Sequence, residues 1–118
     1  MMQQENDKVR KVAANYIFLP GSPLVKNGYV ELSALRGIRV VDTQGEIKEI
    51  PGLEFYGGMI VPDYVCEHKH EWLPGMEMLP FLERLYAREG SIVRKIAIIE
   101  GADLRRLVWQ EKADVHLL

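Results

Sequence analysis

Of 118 residues only one, Cys66, is a cysteine. An internal disulfide is therefore excluded, and a lone thiol suits a reducing compartment, so a cytoplasmic location is expected. Charge of one sign is scarce as well: 15 Lys and Arg against 17 Asp and Glu leave a net charge of −2. Without a basic footprint, neither nucleic acid nor an anionic membrane is an expected partner. No run approaches the ~20 apolar residues needed to cross a bilayer. The opening MMQQENDKVRK is polar and carries acids, unlike a signal peptide. A nucleophile elbow and a Cys-His-Asp arrangement are both missing. The glycines of YGGM at 56–59 lack the context of a nucleotide loop. No catalytic residue is expected on these grounds.

What is present is a globular composition, 47% hydrophobic and 27% charged, in one chain of single-domain size. Such a chain buries roughly two-thirds of its unfolded surface and needs no staple. Residues 1–118 read as one domain, with 1–7 expected to be flexible. The segment 8–18 ends in aromatic and β-branched residues and predicts a strand. LPGSP at 19–23 predicts a turn, and YVELS at 29–33 alternates as a strand should. Ile38, Val40 and Val41 predict another strand, followed by a TQGE turn and a further strand carrying Ile47 and Ile50. LEFYGGMIVPDYV at 53–65 is apolar enough for a core strand, and Gly57-Gly58 predicts a bulge or bend inside it.

One segment has helical periodicity. In PGMEMLPFLERLYAREG, Met78, Leu82 and Leu85 fall at i, i+4 and i+7 with Phe81 and Tyr86 beside them. A helix over 76–89 follows, with Pro80 in its first turn and Gly90 as its C-terminal cap. Strands return in SIVRKIAIIE and KADVHLL. The fold class expected is mostly β: a small sandwich or partly closed barrel with one short helix.

The chemistry-bearing stretch is VPDYVCEHKHEW at 61–72. Read as the end of a strand, it places Cys66, His68 and His70 on one face. Three such ligands span ~13 Å, too far for one zinc ion without a bend. Zinc on His68 and His70, with Cys66, stands against two histidines left from a lost site. Lys69 and Glu67 point the other way and read as solvated, and His116 reads as a sheet-surface residue. Phe55, Tyr56, Tyr64 and Trp72 suit packing or an interface better than a pocket. Arg105 and Arg106, taken as strand neighbours, point apart.

Ile60, Val61, Pro62, Tyr64, Val65, His68 and His70 resemble the first barrel strand of metal-dependent amidohydrolases, the superfamily of cytosine and guanine deaminases, dihydroorotase and imidazolonepropionase. The usual pattern there is VPG-F/L-V-(N/D)-x-H-x-H. ANYIFLPGSPLVKNGYVEL is similar to the opening hairpin of that family's composite β-sandwich, and IAIIEGADLRRLVWQEKADVHLL to its closing strands. Asp63, Cys66 and Glu71 depart from the pattern. A (β/α)₈ barrel needs about 200 residues, whereas about twenty separate His70 from Ile92. The resemblance implies a composite domain whose helix stands in place of the barrel.

Three functions follow, in this order: a non-catalytic binding or interaction module, a small metal-binding protein using His68 and His70, and a residual hydrolase needing a partner chain that bears a barrel. The resemblance also implies sheet surface meant to be covered. Tyr56, Met59, Val61, Tyr64 and Trp72, with Met78, Phe81, Leu82 and Leu85 on the helix, are the expected interface of a homodimer.

Overall fold

A computed structural model of the chain describes residues 9–44, 50–89 and 95–118. The expected mostly-β class is what it shows. The strands are β1 (Arg10–Ile17), β2 (Val25–Lys26), β3 (Tyr29–Ser33), β4 (Gly37–Val41), β5 (Leu53–Pro62), β6 (Ile96–Glu100) and β7 (Asp114–Leu117), with one α-helix, α1 (Met78–Glu89). They form one mixed sheet in the order β4-β3-β1-β5-β6-β7, with β2 beside β1. Among the described residues only the β1–β5 pair is parallel. The end strands β4 and β7 do not pair, so the sheet is not closed. The start expected to be flexible, the expected TQGE turn from Gly45 onward, Ile47, the expected Gly90 cap and the first residues of SIVRKIAIIE lie outside the described residues. Ile50 is described and is not in a strand.

The sheet curls about its inner face. There Val12, Ala14 and Ile17 of β1 pack with Val30, Ile60, Ile96 and Ile98 in one buried cluster. The curl brings the start of β1 to the last residue: Arg10 forks onto Glu54 at 2.7 and 2.8 Å and donates to the Leu118 carbonyl at 3.1 Å. Where β4 and β7 fail to meet, a cavity of about 520 Å³ separates the β3–β4 hairpin from Ile96 and Leu118.

The outer face is covered at one end by α1. Its Met78, Phe81, Leu82, Leu85 and Tyr86 recur at helical spacing and pack on Met59, Val61, Ala97 and Ile99 of the sheet. Pro80 is the third residue of the helix, where its missing N–H costs no bond. Trp109, fully buried, fills the rest: it stacks on Trp72 at 4.0 Å and meets Phe81 edge-on at 5.6 Å.

This corrects the expected interface. Met59, Val61, Met78, Phe81, Leu82 and Leu85 are buried inside the chain itself, and Tyr56, Tyr64 and Trp72 are half-buried. A three-turn helix suffices because Val65 and the loop carrying Trp109 share the cover.

The expected bulge is present. Ala14 pairs with Tyr56 and Tyr16 with Met59, so Gly57 and Gly58 together oppose the single Asn15. The Asn15 side chain accepts the Gly58 N–H at 2.8 Å. Gly58 lies at φ +150°, and a Cβ there would meet the Ile99 carbonyl oxygen at 2.1 Å. At Gly57 the nearest atom would be 3.9 Å away. Gly58→Ala should cost roughly 3 kcal/mol or more in strain and displaced backbone, while Gly57→Ala should be tolerated. Thermal melting of the two variants checks this; equal melting temperatures would show that the approach to β6 is not tight.

Candidate functional site around His68

The stretch expected to extend β5 turns instead. Pro62 is still extended (φ −62°, ψ 153°), and Asp63–Glu71 then forms 3-10 turns, interrupted by non-helical backbone at His68 (φ −129°). In such turns residues three apart stand above one another. Cys66, His68 and His70 therefore do not share a face, which corrects the strand-face placement. The physical reason lies in the residues: after Val65 only Cys66, and no β-branched side chain, arrives before Trp72, so a strand would gain little burial.

Spacing of three brings other partners together. His68 Nδ1 donates to Glu71 Oε2, and the second Glu71 oxygen accepts from Arg88 Nη2 of α1 at 3.0 Å. The Tyr64 ring lies 4.4 Å from the His68 ring at 60°. His70 is exposed, its ring 6.4 Å from that of His68. Lys69 donates to Asp114 of β7 at 3.1 Å rather than pairing with Glu67. The segment is thus pinned to α1 through Glu71 and to β7 through Lys69.

Electrostatics follow this pinning. The His68 hydrogen bond, then that of Arg88, holds the Glu71 carboxyl below its ordinary value. Lys69, then the Val115 N–H, does the same for Asp114. The Arg10 fork does it for Glu54. Burial pushes the Cys66 thiol up, which disfavours the thiolate that a metal would take. Among the described residues no three His, Cys, Asp or Glu side chains gather closely enough to hold a metal ion.

The remaining candidates are dispersed. Phe55 is exposed on the outer face, Tyr56 faces the inner cluster, and Tyr64 and Trp72 pack on His68 and Trp109. His116 lies on β7 with Nε2 3.5 Å from Glu100, a sheet-surface position as expected. Arg105 and Arg106 sit in a turn rather than a strand, and their N–H groups both donate to Asp103 Oδ1. A cavity of about 1000 Å³ lies beside this turn, lined by Pro74, Asp103, Arg106, Glu111 and Lys112 among others. Neither histidine of the stretch lines it.

Sequence reasoning passed over Arg88 and Asp114, and took Glu71 as a departure from the family pattern rather than as the partner of His68. The His68/Glu71 spacing of three was a readable signal; the long-range partners had none. No helix among the described residues is long and apolar enough to cross a membrane. No protein-family model, curated protein or solved structure matches the chain.

The depressed carboxyls link folding to pH. Each binds its proton less tightly folded than unfolded, so its contribution is complete above the ordinary values of 4.5 for Glu and 3.8 for Asp. It is lost as pH falls through the lowered folded values. The melting temperature should drop on acidification below pH 4.5, and Glu71→Gln should make the drop shallower. Melting curves from pH 7 downward decide it: identical slopes would detach Glu71 from folding.

Proposed function

We propose that this chain is a non-catalytic interaction module on the composite-domain plan of metal-dependent amidohydrolases, without the catalytic barrel. The observation that supports it most is the use made of the H-x-H stretch. His68 and Lys69 tie the chain's own elements together through Glu71, Arg88 and Asp114. Amidohydrolase-type hydrolysis needs a metal-activated water and a carboxylate free to move protons. Here the carboxylate beside His68 already holds two partners. A half-buried free thiol at Cys66 suits the reducing cytoplasm.

Elemental analysis of protein purified without added metal tests the reading. Zinc, iron and manganese should each be well under one equivalent, and the chain alone should not turn over cyclic amides or aminopyrimidines. Near-stoichiometric metal that disappears in His68→Ala/His70→Ala would favour the small metal-binding protein instead. Turnover abolished by the same substitutions would establish a hydrolase.

A further inference from the structure

The Asn-Gly pair at 27–28 stands inside a strand line rather than at a hairpin turn. β2 and β3 pair with β1 in one unbroken register, Lys26 opposite Tyr16 and Tyr29 opposite Ala13. Asn27 and Gly28 therefore come opposite Asn15 and Ala14, and the Asn27 N–H donates to the Asn15 carbonyl at 2.9 Å. Asn27 lies at φ +61°. That is the left-handed well, which asparagine enters at low cost and where ψ is about +47°. Gly28 is buried, and a Cβ there would stand 2.6 Å from both Val25 Cγ1 and the Val41 carbonyl oxygen. The Thr43 hydroxyl donates to the Asn27 carbonyl at 2.9 Å.

An asparagine followed by glycine can react with its own backbone. The Gly28 nitrogen, giving up its proton to base, attacks the Asn27 side-chain carbon Cγ. The N–Cγ bond forms, the Cγ–Nδ2 bond breaks, and ammonia leaves with the proton. Water then opens the succinimide ring. Attack at Cγ yields aspartate. Attack at the main-chain carbonyl yields isoaspartate, whose backbone runs through Cβ and Cγ and is longer by a CH2. Gly28 has no side chain to hinder the approach. The other described asparagine, Asn15, is followed by Tyr16, and its side chain is held by the Gly58 N–H at 2.8 Å.

We infer that Asn27 is a site of this modification, that the native sheet withholds the reaction, and that an isoaspartate chain cannot rebuild the strand line. In the left-handed well the Gly28 nitrogen lies trans to the Asn27 Cβ, the torsion farthest from ring closure. Closing the ring turns the Asn27–Gly28 peptide plane through about half a turn. That breaks the Thr43 bond and pulls Gly28 from its slot between Val25 and Val41. The reaction therefore waits for β2 and the start of β3 to leave β1, a local opening short of global unfolding. The extra CH2 falls where no Cβ fits and between paired residues on both sides. Lys26 and Tyr29 then cannot both keep their partners on β1.

Peptide mapping by mass spectrometry tests this on the full chain, held in mildly alkaline buffer with and without denaturing urea. In urea Asn27 should convert faster than Asn15. In the native chain Asn27 should convert at least ~10-fold more slowly than in urea, a ratio set by the local opening equilibrium. The isoaspartate chain, separated by chromatography, should melt below wild type. Asn27→Asp, which adds the charge without the CH2, should melt close to wild type. Equal native and unfolded rates would overturn the control by the sheet. Asn15 converting as fast as Asn27 in urea would overturn the site. An isoaspartate chain that melts with wild type would overturn the block on rebuilding.

Discussion

The approach of Gly58 to the Ile99 carbonyl, too tight for a Cβ, governs how the rest is arranged. β5 is the strand that joins the two halves: it pairs in parallel with β1 and antiparallel with β6. Bringing β6 that close at Gly58 leaves no room for a Cβ, and the bulge opposite Asn15 absorbs the extra residue. Bulges bend the strand and increase its twist. Beyond the bend, Tyr16, Met59 and Val61 face α1, while Ile17 and Ile60 face the inner cluster. A straight β5 would not serve both cores.

The curl started at that bend is held at its far side by charge. Arg10 makes a bidentate fork to Glu54 and reaches the Leu118 carbonyl, so the first described strand and the last residue share one guanidinium. Both side chains of the pair are 38% exposed, so solvent screens the attraction. Its role is geometric: it closes the curl where backbone hydrogen bonds between β4 and β7 do not.

Much of this was legible in the residues. YVELS was bounded by alternation alone, the helix by its 3-4 spacing, and the bulge by a glycine pair in an otherwise continuous apolar strand. The histidine stretch was misplaced because a period of two was carried past Pro62, where burial no longer supports it. Asp63 after a proline, and the run Cys66–Glu71 without a β-branched residue, carry the turn signal. Trp109 was passed over because nothing local marks it; its burial depends on Trp72 and Phe81, far away in the sequence. That Asn15 stands opposite Gly57 and Gly58 needed the register, which pairing distant strands sets and one sequence does not reveal.

Length explains why α1 reaches one end of the outer face and not the other. α1 has 12 residues and so spans ~18 Å. β5 has 10 and spans ~33 Å. A helix hung from Pro62 by the nine-residue 3-10 segment lies over the end of β5 that it leaves. The buried residues of β5 accordingly run from Gly58 to Pro62, and those from Leu53 to Gly57 are half-buried or exposed. A longer helix would reach Phe55, yet the strand that follows must return to pair with Met59–Pro62. The return to β6 therefore holds the helix over the end of β5 that the chain leaves, and the outer core is built there.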